Sequence, residues 1–249
     1  MNESDGVELP ASLAAAWGVY ERPTKGPRPG LSIERIVEAT IKVALTDGLA
    51  AVSMNRVAAD LGTAPMSLYR YVASKDELLA LAVDSALGAP PPSNPTAGWR
   101  EALSGFAWAM LAAYRKHPWV LRIPVSGAPI TPNQIAWLER GLSALRATNL
   151  TEAEKMSVII LISGFVRNEA TLTANISAAI LASGSTAQEA MTNYGRLLRK
   201  LTDAEHFPAL HAVIVAGAID TPDSPDDQFA FGLERILDGI AALMRERAM

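Results

Sequence analysis

The sequence predicts an all-α protein, with an N-terminal helix-turn-helix module of three helices and a larger helical domain behind it. Three observations carry this. Apolar residues recur at helical spacing along most of the chain, and no stretch alternates with the period of two that a half-buried strand requires. Ser32, Ser53 and Ser74 each stand just before such a stretch, where a hydroxyl can accept from the first free amides. Gly88 to Gly98 contains Pro90, Pro91, Pro92 and Pro95, which stop helix and sheet ladders alike. The chain therefore reads as an arm (1–30), a compact module (31–87), a linker (88–98) and a large domain (99–249).

Residues 1–30 show no sustained periodicity, and the run from Arg22 to Gly30 is too rich in proline and glycine to hold a helix, so they read as a flexible basic arm. Behind Ser32, the apolar positions Ile33, Ile36, Val37, Ile41, Ala44 and Leu45 mark a helix that Gly48 ends. Ser53 opens a second, short helix with Val57, Ala58 and Leu61 on one face, closed by Gly62. Pro65 suits the first turn of a third helix running through Met66 to Tyr71. Ser74 then caps Lys75 to Leu87, with Asp76 and Glu77 in the turn where the helix dipole favours anions. Beyond the linker, the periodicity predicts helices near 99–116, 131–147, 151–182, 186–201, 206–217 and 226–247.

Composition excludes several classes. Apolar residues make up 49%, too many for a disordered chain, and there is no cysteine for disulfides, thiol catalysis or thiolate metal sites. The longest apolar run, Val158 to Val166, is half a membrane span, and the first residues are acidic where a signal peptide is basic, so a cytoplasmic location is expected with no membrane partner. The net charge of −4 hides an uneven distribution. Residues 1–21 carry four acids and no base, residues 22–75 carry eight bases against four acids, and the remainder is acidic again. A single basic module in an acidic chain is what contact with phosphates demands.

The short helices joined through Gly62 have helix-turn-helix spacing. With Val57, Leu61 and Leu68 turned inward, Pro65, Met66, Ser67, Tyr69 and Arg70 share the opposite face. Arg56 and Arg70 suit guanine N7 and O6, Asn55 suits adenine N6 and N7, and Pro65 or Met66 suits a thymine methyl. For Arg56 a solvated surface arginine is the alternative. Arg22, Lys25 and Arg28 either enter a minor groove or form a solvated leader.

The string Leu61-Gly62-x-x-x-x-Ser67-Leu68-Tyr69-Arg70-Tyr71-Val72-x-Ser74-Lys75-x-x-Leu78-Leu79 resembles the DNA-binding region of the TetR family of bacterial transcription regulators, as do Ile36-Val37-x-Ala39, Gly48-Leu49 and Ser53-Met54-x-x-Val57-Ala58. The resemblance spans about 50 residues. It implies a dimeric DNA-binding regulator, a repressor, acting on a double-stranded operator and controlled by a small-molecule effector. By position it implies phosphate and base-edge contacts from Ser67 and Tyr69, and a groove or backbone contact from Arg70. Lys75 matches a phosphate contact, Asn55 and Arg56 a helix that reaches the groove, and Pro65 and Met66 the reading positions. Thr63 replaces a branched aliphatic residue, and Tyr71 stands where histidine is frequent. Phe231-Gly232-Leu233-Glu234-x-x-Leu237-Asp238-Gly239 is similar to the C-terminal domain of the tetracycline-repressor branch. That branch holds a magnesium chelate with histidine and glutamate; here no histidine lies between residues 76 and 116, although Glu169 matches one ligand, so no metal and no cofactor are expected.

A palindromic site needs two copies of the module at fixed spacing, and the large domain offers a seam for the second copy. Phe229, Leu233, Ile236, Ile240 and Leu243 recur at coiled-coil spacing, and Val158 to Ile162 is apolar all round, which predicts a homodimer interface through these residues, Val158 and Ile162 included; the alternative is that both helices are central core helices of one subunit. Phe106, Met110, Tyr114, Trp137, Phe165, Met191 and Tyr194, with Asn168 and Glu169 as polar members, are the candidates for a pocket taking a small, mostly apolar organic molecule. Each ring taken singly also suits a core. An enzyme on a small apolar substrate lacks its tools, having no paired histidines, phosphate loop or serine elbow. A structural DNA-binding protein without effector leaves about 150 residues without a task.

Overall fold

In the computed structural model the described residues are 10–19, 31–125, 127–220 and 224–248. They form eleven α-helices and two 3-10 turns, and no strand is present among them. Packing divides the chain into two compact units, Met1–Ile159 and Ile160–Met249. None of the helices is long and apolar enough to cross a membrane.

The first unit holds α1 (Ala11–Ala16), α2 (Ile33–Thr46), α3 (Met54–Asp60), α4 (Pro65–Leu68), α5 (Lys75–Leu87), α6 (Trp99–Lys116) and α7 (Pro132–Ala144). The three serine caps operate as their positions predict: Ser32 accepts from the amide of Arg35, Ser53 from that of Arg56 and Ser74 from that of Glu77. Gly48 (φ +84°) and Gly62 (φ +64°) take the left-handed conformation that ends α2 and turns the chain out of α3. Ile36, Val43, Val52, Val57, Ala58, Leu68 and Leu78, all fully buried, fuse α2 to α5 into one core.

Two findings depart from the sequence reading of this half. The stretch expected as a flexible arm contains α1, in which Ser12, Leu13 and Ala14 are buried and Leu13 joins the same core. The hydroxyl of Ser12 donates to the Glu77 carboxylate, and the Trp17 indole donates to the Ile130 carbonyl at 2.9 Å. Tertiary burial makes this helix; six residues without a side-chain cap do not hold one alone. The proline-rich segment 88–98 is free of regular structure, but packing does not divide there. Trp119 and Val120, in the 3-10 turn Pro118–Arg122 after α6, complete the core of the helix-turn-helix.

Below the linker, α5 and α7 cap one another. Asp84, 6% exposed, sits on α5. Its carboxylate accepts from the Thr131 hydroxyl (2.5 Å), the Gln134 amide (3.0 Å) and the Asn133 side chain (3.0 Å), all at the start of α7. Thr131, the N-cap residue of α7, makes no cap with its own side chain, so Asp84 supplies the anion that this helix end favours. In return the Trp137 indole donates to the Gly88 carbonyl at the end of α5 (2.9 Å).

The long helix α8 (Glu152–Ser183) begins in the first unit and runs on into the second, which continues with α9 (Ala187–Leu201), α10 (Pro208–Val215) and α11 (Pro225–Glu246). Thr186 and Glu189 form a reciprocal capping box at the start of α9. Arg199 holds Asp220 through two short contacts (2.6 and 2.7 Å) across Gly195, where a β-carbon would lie 2.8 Å from the carboxylate. Phe165 of α8 stacks on Phe229 of α11 with centroids 5.3 Å apart, and the same ring fills the space above Gly232.

Candidate nucleic-acid interface

The reading surface is built by four residues of regular helix and the turn that follows. Pro65 opens α4, since a first-turn position needs no amide. The helix ends at Leu68, and the chain closes with the amides of Tyr71 and Val72 both donating to the Leu68 carbonyl (2.8 and 3.1 Å). Leu68 is fully buried, so its neighbours are forced outward: Met66 is 73% exposed, and Tyr69 and Arg70 are exposed beside it. Pro65 and Ser67 are half-buried on the flank of this face. Lys75, at the start of α5, and Asn55, at the start of α3, are exposed. The face thus combines a thioether, a phenol, a guanidinium, an ammonium and an amide, the mixture of apolar and donor groups that base edges and phosphates accept.

Two candidates are also bonded within the protein. The Tyr71 hydroxyl donates to the Leu31 carbonyl (3.0 Å), which ties the corner after α4 to the residue preceding the α2 cap. The Arg56 guanidinium is gripped by Asp47 through Nε (2.8 Å) and Nη2 (2.7 Å), while Nη1 lies 3.9 Å from Asp60. Asp60 is in turn held by Lys42 at 2.8 Å. Hydrogen bonds from Thr46 and Arg56 hold the Asp47 carboxyl below the usual aspartate range. Sequence reasoning on α3 did not find Asp47 because it lies on the far side of the Gly48 turn. Arg22, Lys25 and Arg28 lie outside the described residues.

The pocket candidates fall in both units. In the first, Phe106 and Trp137 are buried with ring centroids 6.0 Å apart, and Phe106 lies over Gly141 with Ile159, while Met110 and Tyr114 are half-buried, Tyr114 against the helix-turn-helix core. In the second, Phe165, Glu169 and Met191 are half-buried, and Asn168 and Tyr194 are exposed.

The interface candidates differ in how much surface they keep. Val158, Ile162, Phe229, Leu233 and Ile240 are all buried within the single chain, and a side chain with no surface left has none to bury against a second copy. Ile236 and Leu243 are half-buried. The large apolar positions of the same helices that do face outward include Ile160, Leu161, Leu172, Ile176 and Phe231. A helical apolar seam identifies a covered face but not whether the cover comes from its own chain.

Titratable groups outside these surfaces give no metal site: among the described residues no group of three or more histidine, aspartate or glutamate side chains is placed to hold an ion. Burial, with Lys116 adding to it, holds the His117 imidazole below the usual histidine range, and His206 lies against Asp203.

Comparison with known proteins agrees with this geometry. Residues 36–82 match the model described as bacterial regulatory proteins, tetR family, and residues 91–244 match the tetracyclin repressor-like C-terminal domain. The chain is 37% identical to the HTH-type transcriptional repressor DrrR1 of Streptomyces coeruleorubidus, over 98% of this chain and 90% of that one. It is also similar to the crystal structure of apo ActR from Streptomyces coelicolor (TM-score 0.71, 30% identity, 88% of this chain and 99% of that one). ActR in complex with actinorhodin gives TM-score 0.72 at 28% identity, over 88% of this chain and 98% of that one.

Proposed function

The chain belongs to the TetR family of bacterial regulatory proteins, and from that premise we propose that it is a transcriptional repressor binding a palindromic operator as a dimer and released by a small, mostly apolar organic effector. Proteins of this family are transcription regulators and not enzymes. The observation that carries the reading is the outward face of Met66, Tyr69 and Arg70 on a turn locked from behind by fully buried Leu68. Repression is supported by the relative named a repressor, and effector binding by the relative solved with actinorhodin.

In the DNA-bound dimer the two reading turns lie roughly 34 Å apart, one helical repeat. Met66, Ser67, Tyr69 and Arg70 meet base edges and sugar-phosphate, and Lys75 and Asn55 take flanking phosphates and bases. Arg22, Lys25 and Arg28 add affinity from the adjoining minor groove. Release follows from the mutual capping of α5 and α7. Because Asp84 and Trp137 join the two helices, an effector that displaces α7 carries α5 and the reading turn with it. The effector acts only through different affinity for the two states, and a coupling of about 1–3 kcal/mol is typical.

The test is fluorescence anisotropy with duplexes from the region upstream of the chain's own coding sequence, read with and without actinorhodin as the first probe, alongside light scattering. Expected are a dimer, a site bound far more tightly than random duplex, and weaker binding with the probe or a related aromatic compound. A monomer at micromolar concentration overturns the dimer. A tight ligand that leaves operator affinity unchanged overturns the effector mechanism.

A further inference from the structure

Two arginines stand on the helix-turn-helix, and the structure treats them differently. Arg70 is exposed beside Tyr69, whereas Arg56 is held along its Nε–Nη2 edge by one oxygen of Asp47. The flank around Arg56 holds two cations, Lys42 and Arg56, and two carboxylates, Asp47 and Asp60, so its local charge is balanced. A neutralised arginine gains little from a phosphate, because the attraction of the anion for the guanidinium is offset by its repulsion from the adjoining carboxylates. It keeps its donors. Asp47 occupies Nε and one side of Nη2, and Nη1 at 3.9 Å from Asp60 is beyond hydrogen-bond distance, so Nη1 remains able to donate to a neutral acceptor such as guanine O6 or N7.

We propose that Asp47 is a positioning residue that sets DNA specificity: by fixing and neutralising Arg56 it converts a phosphate-binding cation into a reader of base edges. This rests on the DNA-binding reading above. On random DNA Arg56 then adds almost nothing, and at a matching site it donates without leaving Asp47. Removing the carboxylate sets the cation free for any phosphate, which raises non-specific affinity and narrows the gap between operator and random sequence.

The experiment measures binding of the full chain and its Asp47→Asn, Asp47→Ser, Arg56→Gln and Asp47→Asn/Arg56→Gln variants. The probes are a random-sequence 30-bp duplex and duplexes enriched by the wild-type chain from a randomised library, over a salt series, with melting curves to check the fold. For Asp47→Asn we expect random-duplex affinity about five- to tenfold higher at 0.1 M salt for each engaged copy, and a salt slope steeper by about 0.9. Asp47→Ser gives the same result. Arg56→Gln weakens enriched duplexes while leaving random duplex nearly unchanged. An unchanged salt slope in Asp47→Asn overturns the inference, and so does an equal gain in the Arg56→Gln background, since that gain reflects only the lost repulsion of Asp47. A wild-type chain that binds no duplex even at low salt overturns the DNA-binding reading itself, and this inference with it.

Discussion

The two compact units handle apolar surface in opposite ways. In the first, α2 to α5 turn most of their large apolar side chains inward; Leu45 on α2 and Met66 and Tyr69 on the reading turn stay exposed, with no run of them at one-turn spacing along α2 to α5. In the second, large apolar side chains stand exposed along helices at one-turn spacing: Leu172 and Ile176 on α8, and Tyr194, Leu197 and Leu201 on α9. A stripe of that length on one face is rarely left to water. The first unit therefore reads as complete within one chain, and the second as built to be covered by something else.

The sharpest way to break this contrast is to damage the buried polar joint of the first unit. Asp84→Ala strips the acceptor from Thr131, Asn133 and Gln134 at once and removes the anion at the start of α7. An unpaired buried donor costs about 1–3 kcal/mol, so with partial rescue by water we expect a loss of about 3 kcal/mol in urea unfolding. Thr131→Val removes one donor and leaves the carboxylate two partners, and its expected cost is about 1 kcal/mol. Equal and negligible losses for both would mean that the joint does not hold α5 to α7.

In the second unit the expected effect moves from stability to association. Leu197→Gln with Leu201→Gln alters side chains that are 51% and 65% exposed, so unfolding of the dissociated chain should change by less than about 0.5 kcal/mol. If a second copy covers the stripe, the dimer dissociation constant measured by sedimentation rises at least tenfold. A dimer of unchanged strength would assign the cover to a ligand or another partner.

These contrasts also mark how far the sequence reaches. The caps at Ser32, Ser53 and Ser74 and the turns at Gly48 and Gly62 are local features, decided within four residues, and the sequence read them in place. Helix α1 was not legible because six residues show less than two turns of period and their burial depends on Glu77 and the distant core. Asp84 gave no signal because its partners lie about fifty positions onward. The same limit explains the reading surface. The outward positions of Met66, Tyr69 and Arg70 follow from the burial of Leu68, but the engagement of Arg56 and Tyr71 depends on Asp47 and Leu31, which only the folded chain brings near. On α11, Phe229, Leu233 and Ile240 have the spacing of an interface and are interior, since periodicity gives the direction of an apolar face and not its neighbour.

The smallest expected effect separates hydroxyl caps from carboxylate caps by acid. The α2 and α3 caps in the first unit rely on the hydroxyls of Ser32 and Ser53, which do not titrate, whereas the α9 cap in the second relies on the Glu189 carboxylate. The amide of Thr186 (2.7 Å) and then its hydroxyl (2.9 Å) donate to that carboxylate and hold its pKa below the usual glutamate range. A carboxyl lowered on folding stabilises the native state above its unfolded pKa, and that contribution fades as the pH falls through the lower folded value. Amide shifts of Thr186 and Glu189, followed by NMR from pH 6 to pH 3, should therefore move with a midpoint below the ordinary glutamate range. Glu189→Gln should abolish the movement at Thr186. A titration at Thr186 that survives this substitution would show that a different acid group, and not the capping box, controls the start of α9.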